Sequence, residues 1–198
     1  MTDITQSVDQ VESETKPRRA NPFLSPRGFI VMFVALGILA VLGWGLANST
    51  ATRPEVGANA PDFEMEYFDG YGWESRSAAN LSDMEGNVVV LNFWASWCVE
   101  CKLEADFLEA SWRKYREQGV MFLGIDFVDT EPRAYEYMDL YDITYPNAPD
   151  LRGKISDTYK ITGVPETFII DQEGVIQQIY VGPVNEQMLA AVVDPLLE

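Results

Sequence analysis

Histidine is absent from this 198-residue chain, and cysteine occurs only twice. Without histidine, the chain cannot form a Ser-His-Asp or a Cys-His catalytic arrangement. A structural zinc site needs four ligands, so two cysteines without histidine would require carboxylates or a second chain to complete it. We therefore expect no bound metal.

Positive charge is also scarce. Beyond residue 53 there are nine Lys and Arg residues against 27 Asp and Glu residues, a charge of −18 on the part of the chain that is expected to fold. A surface this acidic repels phosphate groups, so nucleic acid is not an expected partner. The remaining interpretations are a solvated, soluble surface or attraction to a basic partner protein.

One long apolar segment is present, because residues 29–47 contain no charged side chain. Its nineteen residues match the roughly 20 that a helix needs to cross a bilayer at about 1.5 Å per residue. We therefore predict one transmembrane helix over residues 29–48, with the lipid bilayer as its partner. A cleaved signal peptide is the alternative, although its apolar region would have only about 7 to 15 residues.

The charges beside this segment predict its orientation. Four Lys and Arg residues lie within residues 1–28, whereas only Arg53 and Arg76 follow nearby. Positively charged flanks stay in the cytoplasm. We expect a single-pass protein of the cell membrane, with a cytoplasmic tail at 1–28, a linker at 49–60 and an extracytoplasmic, periplasmic domain at 61–198.

The apolar pattern beyond the linker predicts an α/β domain. Two near-continuous apolar runs, residues 88–94 and 120–127, are typical of strands buried on both faces. We predict, in order, an edge strand or hairpin at 63–70, the strand at 88–94, a helix within 99–118, the strand at 120–127, helices at 131–140 and 151–159, strands at 167–171 and 175–181, and a helix at 186–197. This order indicates a mixed central sheet flanked by helices.

The two cysteines, Cys98 and Cys101, open the helix that directly follows the strand at 88–94. This spacing and position are typical of a thioredoxin-like redox pair. The amides and the dipole at the start of a helix stabilise a thiolate, which makes Cys98 the expected nucleophile. Cys101, one turn further, would resolve the mixed disulfide. A structural disulfide is the alternative, but closing so short a loop removes little chain entropy.

Several stretches of the sequence carry a resemblance to a known group: VGANAPDF, VVVLNFWASWC, WASWCVEC and GVPETFIID. They resemble the membrane-anchored, extracytoplasmic thioredoxin-fold proteins of the ResA/TlpA/CcmG-like group, from about Gly57 to the C-terminus. The resemblance implies a thioredoxin-like fold and a thiol-disulfide oxidoreductase activity. It also implies a redox-active Cys98–Cys101 disulfide with no other cofactor.

The resemblance also assigns roles to single residues. Pro165 is similar to the cis-proline that packs beside the cysteines of the fold, and Val164 before it would pair with an extended substrate peptide. Glu104 is similar to the acidic residue that the group keeps near the cysteines. Because Asn92 occupies the place of a buried aspartate of cytoplasmic thioredoxins, Glu104 is the candidate to relay a proton to Cys101.

Some of these roles have simpler alternatives, and two further residues are candidates. Pro165 could be an ordinary turn proline, and Glu104 a solvated charge on the helix. Glu166 either helps to select the partner or is a surface acid. Trp97 either covers Cys98 and offers a flat apolar contact to a peptide, or packs in the core.

Two residues depart from the pattern of the group. Glu100 stands where proline is frequent, and its carboxylate opposes deprotonation of the neighbouring thiols. Asp106 stands where the fold usually has a helix-kinking proline. We therefore expect a straighter helix.

These features together predict a protein-disulfide reductase. The acidic neighbours Glu100 and Glu104 should raise thiol pKa values and make the couple more reducing. The resemblance points to a disulfide-containing client, such as the haem-attachment segment of apocytochrome c, and to a membrane protein as electron donor. The alternatives are an oxidant or isomerase on the same fold, and a non-catalytic binding or metal-delivery module.

Overall fold

A computed structural model of the chain describes residues 26–48 and 52–198. Residues 1–25 of the predicted tail and residues 49–51 of the predicted linker lie outside the described residues. The described helices and strands are, in chain order, α1 (Pro26–Asn48), β1 (Glu64–Glu66), β2 (Ala78–Asn80), β3 (Val88–Trp94), α2 (Cys101–Tyr115), β4 (Val120–Phe127), α3 (Glu131–Leu140), β5 (Asn147–Asp150), α4 (Lys154–Tyr159), β6 (Glu166–Ile170), β7 (Ile176–Val181) and α5 (Glu186–Leu196).

The described residues fall into two units, one over residues 26–48 and one over residues 52–198. The first unit contains α1, a helix of 23 residues whose large apolar side chains are exposed between Phe29 and Trp44. Nowhere in the described residues does a helix reach both the length and the apolarity that crossing a membrane requires. The anchor that the sequence predicts over residues 29–48 stays a prediction.

The second unit is built on a five-stranded sheet with the strand order β5-β4-β3-β6-β7. Strands β3, β4 and β5 are parallel, whereas β6 is antiparallel to both β3 and β7. Helices α2, α3 and α5 pack with one face of the sheet in a first core, and α4 packs with the other face in a second core. The predicted α/β fold, a mixed sheet flanked by helices, is confirmed.

The central strand β3 is buried along its whole length. Successive side chains of a strand point to opposite faces. Val88 and Val90 accordingly pack in the first core, while Val89 and Leu91 pack in the second. The continuous apolar run is therefore the consequence of a strand covered on both faces, and its carboxyl end leads the chain directly to the cysteines.

Helix α2 runs from Cys101 to Tyr115 without interruption. Asp106 keeps the backbone N–H that a proline would lack, so no hydrogen-bond donor is missing at this position. The buried side of the helix is not the side that the apolar spacing of the sequence predicts. Leu103 is 74% exposed, while Glu104 and Glu109 are buried. Hydrogen bonds to both carboxylates allow them to occupy that side.

The compact unit begins before residue 61, the predicted start of the domain. The amide of Gly57 donates to the carbonyl of Ile176 over 2.7 Å, and the amide of Ile176 donates to the carbonyl of Ala58 over 2.9 Å. These bonds attach the chain to the start of β7. The second half of the predicted linker therefore lies against the β6–β7 hairpin.

Strand β5 is not predicted by the sequence pattern. Its four residues, Asn-Ala-Pro-Asp, lack the β-branched and aromatic side chains that favour strands. Pairing with β4 forms the strand at the edge of the sheet, where Pro149 is tolerated although it has no N–H. Asn147 is fully buried there and accepts a hydrogen bond of 2.8 Å from Nε1 of Trp94, at the end of β3.

Candidate functional site

The loop between β3 and α2 carries both cysteines. The chain leaves β3 at Trp94 and passes through residues 95–100 before α2 begins at Cys101. Cys98 and Cys101 form a disulfide bond, with their Cα atoms 5.3 Å apart. Cys101 is completely buried, whereas Cys98 keeps 3% of its surface exposed. The member of the pair that reaches the protein surface is therefore Cys98.

Two backbone groups lie against the sulfur of Cys98. The amide of Cys101 donates to this Sγ atom over 3.0 Å. The carbonyl oxygen of Val164 lies 3.4 Å from the same atom. Because an N–H group directed at a sulfur stabilises negative charge on it, the Cys101 amide favours a thiolate at Cys98 once the disulfide is reduced.

The segment that holds Val164 connects α4 to β6. The peptide bond between Val164 and Pro165 is cis, and β6 begins at the next residue. Pro165 is buried, while Val164 is partly exposed. The tertiary structure thus brings Val164 to Cys98 from 66 residues away in the chain.

Glu104 lies one helical turn after Cys101 and is only 1% exposed, which excludes a solvated charge on the helix. Nδ2 of Asn92 donates to one carboxylate oxygen over 2.9 Å, and the amide of Val184 donates to the other over 2.8 Å. Burial raises the pKa of Glu104 to about 7, although these two hydrogen bonds act in the opposite direction. Such a carboxyl group can take up or release a proton near neutral pH.

Asn92 orients Glu104 without titrating itself. Its Nδ2 group donates to Glu104 and to Oγ1 of Thr167, each over 2.9 Å. Its Oδ1 atom has no hydrogen-bond partner within the part of the chain that the structure describes. Because an amide side chain carries no ionisable proton, Glu104 is the member of this pair that can titrate.

Trp97 is 51% exposed, which excludes core packing as its role. Its Nε1 group donates to the carbonyl of Val128 over 3.2 Å, and its ring lies 6.4 Å from that of Phe127. A cleft of about 320 Å³ adjoins the indole, with Lys102 and Arg133 among its lining residues. The indole thus offers a flat apolar surface at the edge of a cleft.

Glu166 is fully buried, which excludes a surface acid. One carboxylate oxygen accepts hydrogen bonds from the amide and the hydroxyl of Thr162, over 3.0 and 3.2 Å. The other oxygen forms an ion pair with Arg53. The contacts of Glu166 are therefore within its own domain, at the loop that precedes β6.

The connection between β4 and α3 braces the cysteine loop. The amide of Ser96 donates to Oδ2 of Asp129 over 2.7 Å, two residues before Cys98. The Trp97 side chain is held by Val128 of the same connection. The position of the cysteine loop therefore depends on a segment about 30 residues further along the chain, as the sequence separations of these contacts show.

Sequence reasoning missed two charged residues near the site, Arg53 and Asp126, and no local pattern indicates either. Arg53 meets its partner across 113 residues of chain. Asp126, near the end of β4, is fully buried, and its carboxylate has no hydrogen-bond partner among the described residues. Burial, and then the charges of Asp129 and Asp150, raise the pKa of Asp126 to about 8.

This geometry is suited to thiol-disulfide exchange. Cys98, the more exposed of the two cysteines, has a stabilising amide at its sulfur, and Cys101 behind it is completely buried. The buried acid Glu104 lies one turn after Cys101 on α2. Such an arrangement can form a mixed disulfide through the first sulfur and resolve it through the second.

Comparisons with known proteins agree with this chemistry. The model of the AhpC/TSA family matches residues 56–179. The thiol-disulfide oxidoreductase ResA of Oceanobacillus iheyensis is 31% identical over 175 residues, which are 88% of this chain and 89% of that protein. ResA of Bacillus subtilis is 29% identical over 165 residues, 80% of this chain and 89% of that protein.

A solved structure extends the agreement to the fold. The thiol:disulfide interchange protein of the thioredoxin family from Chlorobium tepidum TLS has a TM-score of 0.63 and 25% identity, and the match covers 74% of this chain and 99% of that one. The thioredoxin-like fold is thereby confirmed. The chain belongs to the AhpC/TSA family and is a thiol-disulfide oxidoreductase of the ResA type.

Proposed function

We propose that this oxidoreductase reduces disulfide bonds of client proteins outside the cytoplasm. The Cys98 thiolate attacks one sulfur of a client disulfide, forms a mixed disulfide and releases the other client sulfur as a thiolate. The Cys101 thiolate then attacks Sγ of Cys98, which forms the Cys98–Cys101 disulfide and releases the second client sulfur. Two electrons pass from the protein to the client, and the client thiolates take up two protons.

The observation that carries this proposal is the pair of backbone groups at Sγ of Cys98. The amide of Cys101 lies 3.0 Å from the sulfur and the carbonyl of Val164 lies 3.4 Å from it. An extended client peptide that pairs with the backbone at Val164 would bring its own cysteine to Cys98. Cys101 is fully buried, so its thiolate attacks only after Cys98 has captured the client.

Glu104 is the proposed acid–base group of the second step. Cys101 must lose its proton before it attacks Cys98. Residues three positions apart on a helix lie on the same face, which puts the Glu104 carboxyl on the side of Cys101. With a pKa of about 7, Glu104 can accept that proton near neutral pH.

The remaining candidate residues would serve client binding. Trp97 offers the exposed indole as a flat contact beside Cys98. Pro165 and Glu166 would act on the shape of the loop that presents Val164, since both are buried. No metal and no cofactor beyond the disulfide is part of this proposal.

The acidic surroundings support the reducing direction. Glu100 immediately precedes α2, and Glu104 lies in its first turn. Negative charge near the cysteines disfavours their thiolates, which makes the dithiol a stronger reductant. A measured reduction potential near that of strong oxidants, about −120 mV, would reverse the proposed direction.

We further propose apocytochrome c as the client. The resemblance of the sequence to the ResA/TlpA/CcmG-like group suggests the CxxCH segment to which haem is attached, whose cysteines must be reduced before ligation. A membrane protein would return the Cys98–Cys101 disulfide to the dithiol after each cycle. No nucleic acid is proposed as a partner, because the domain carries a charge of −18 beyond residue 53.

We propose that residues 29–48 anchor the protein in the cell membrane with the N-terminus inside. The uncharged run at 29–47 and the four basic residues before it support this topology. The large apolar side chains of α1 are exposed, and a lipid bilayer would bury them. An alkaline phosphatase fused after Glu198 should be active outside the cell membrane, and an inactive fusion would contradict the topology.

The proposed function is tested with a Cys101→Ser variant of the full chain, expressed in cells that mature c-type cytochromes. Without the resolving thiol, mixed disulfides through Cys98 should persist and can be isolated from membranes. We expect apocytochrome c among the captured proteins, and nothing captured by the Cys98→Ser control. Capture of many unrelated secreted proteins without cytochromes would instead indicate an oxidant or isomerase.

A further inference from the structure

Arg53 contacts both ends of the loop that carries Val164. Its Nη1 group donates to the carbonyl of Lys160 over 3.2 Å, and its Nη2 group forms an ion pair with Glu166. Lys160 directly follows α4, and Glu166 is the first residue of β6. A single guanidinium group therefore joins the two ends of the loop 160–166. We call these two contacts of Arg53, with Lys160 and with Glu166, the clamp.

Glu166 links this clamp to the interior of the loop. While one carboxylate oxygen faces Arg53, the other accepts hydrogen bonds from the amide and the hydroxyl of Thr162. The Glu166 side chain is fully buried, whereas that of Arg53 is 30% exposed. A buried carboxylate that loses its cation is strongly unfavourable, so the position of Glu166 depends on Arg53.

The clamp uses a property that arginine has and lysine lacks. The guanidinium presents several N–H groups in a rigid plane, so it can bond two acceptors in fixed directions at once. Here those acceptors are the carbonyl of Lys160 and the carboxylate of Glu166. A lysine at position 53 would keep the charge but not the fixed pair of bonds.

We propose that Arg53 is a positioning residue for disulfide exchange, which clamps the loop 160–166 and so holds the Val164 carbonyl at the Cys98 sulfur. Val164 lies between the two clamped ends, and its oxygen is 3.4 Å from Sγ of Cys98. Arg53 acts through this loop and not on the reacting sulfurs. The effect on a peptide client rests on the proposed function, in which the client pairs with Val164.

The test compares two disulfides that differ in their need for the loop. The full chain is purified in detergent, reduced, and mixed with a synthetic peptide that contains an internal disulfide or with bis(2-hydroxyethyl) disulfide. The small disulfide has no backbone that could pair with Val164. We expect Arg53→Gln to lower the second-order rate constant for the peptide about tenfold and to leave that for the small disulfide within about twofold.

Three further variants identify the clamp as the cause. Arg76→Gln removes an arginine from an exposed ion pair with Glu74, and it should leave both rates unchanged. Arg53→Lys keeps the charge, so its peptide rate should lie between those of wild type and Arg53→Gln. The double variant Arg53→Gln/Glu166→Gln should be no slower with the peptide than the slower single variant, because both residues act through one contact.

Three results would overturn the proposal: an unchanged peptide rate in Arg53→Gln, an equal fall with both disulfides, or additive effects of the Arg53 and Glu166 substitutions. If Arg53→Gln does not fold, Arg53→Lys serves for the same comparison. If the wild-type dithiol reduces neither disulfide, the reductant function is contradicted. The role of Arg53 is then tested in the opposite direction, with oxidised protein that accepts electrons from the dithiol peptide or from 2-mercaptoethanol. Arg53→Gln should again lower the rate with the peptide and leave the rate with the small thiol within about twofold.

Discussion

Asn92 donates a hydrogen bond of 2.9 Å from Nδ2 to a carboxylate oxygen of Glu104, and so joins β3 to the first turn of α2. Both side chains are buried. The amide cannot titrate, whereas burial raises the pKa of Glu104 to about 7. We therefore expect proton transfer near Cys101 to involve Glu104, in an orientation that Asn92 determines.

The rate of the resolving step should depend on pH through Glu104. Above pH 7 its carboxylate is ionised and can accept the proton of Cys101, so the rate should rise through an inflection near pH 7. Glu104→Gln should abolish this inflection and lower the rate at pH 8 by about 100-fold. Stopped-flow measurement of the decay of a Cys98 mixed disulfide between about pH 5 and pH 9 tests this expectation.

The matched control for this experiment is Glu109→Gln. Glu109 is a second buried glutamate of α2, and its carboxylate bonds Arg113 and Thr144. Its substitution should leave the inflection in place. An inflection near pH 7 that persists in Glu104→Gln would show that another group accepts the proton.

Replacing the amide of Asn92 by a carboxyl group should move the inflection to higher pH. In Asn92→Asp, a second acid would lie within hydrogen-bond distance of Glu104. Two neighbouring buried carboxyl groups oppose each other's ionisation, so one of the two apparent pKa values rises above that of Glu104 alone. We expect the inflection in the same stopped-flow profile to move up by about one pH unit or more, and a shift to lower pH would contradict the proximity of the two groups.

Asp126 should make the protein less stable as the pH rises. The pKa of Asp126 is about 8 in the folded state, and about 3.9 is usual in an unfolded chain. Between these values the folded state binds a proton that the unfolded state has released, so the free energy of unfolding falls as pH increases. Asp126→Asn lacks this titration and should be about 1 to 3 kcal/mol more stable than wild type at pH 8, with little difference near pH 4.

Urea unfolding followed by circular dichroism at both pH values tests this expectation. Asp106→Asn is the control, because Asp106 is exposed on α2 and should behave like wild type. The titration of Glu104 lowers the free energy of unfolding by a similar amount in wild type and in Asp126→Asn. The difference between these two proteins therefore reports on Asp126. An equally steep loss of stability with pH in Asp126→Asn would show that this acid does not titrate in the folded state as described.

Gly124→Ala should destabilise the fold. A Cβ atom at Gly124 would lie 1.8 Å from Oδ1 of Asn147 and 2.8 Å from Nε1 of Trp94. These are the two atoms of the buried hydrogen bond between β5 and β3, so the bond would be displaced. We expect a loss of about 2 to 4 kcal/mol in the free energy of unfolding. Gly163→Ala is the control, because its added Cβ meets nothing within 4 Å; equal stability of both variants would contradict this account.

Several elements were predictable because their side-chain pattern is local. Strands β3 and β4 and helix α3 occupy the residues that the sequence predicts. For the two strands the signal is a short, continuous apolar run bounded by turn residues. Helix α2 shows the limit of this reasoning. Its spacing of apolar residues includes Leu103, which is exposed, while the buried side holds Glu104 because hydrogen bonds from other elements stabilise it there.

The residues of the candidate site were likewise only partly predictable from the sequence. Cys98 and Cys101 were recognisable from their spacing after a buried strand, and the resemblance added Val164, Pro165 and Glu104. The sequence alone could not establish whether Glu104 and Glu166 are buried or exposed, and it contained no indication of Arg53.

The sequence by itself determined the strands β3 and β4, the helix α3 and the position of a cysteine pair after a buried strand, because each depends on residues close together in the chain. The tertiary structure alone decided that Arg53 meets Glu166 across 113 residues and that β5 forms from residues with little strand propensity. The physical reason is that burial and ion pairing depend on which surfaces meet after folding. Such contacts leave no periodic pattern in the residues that make them.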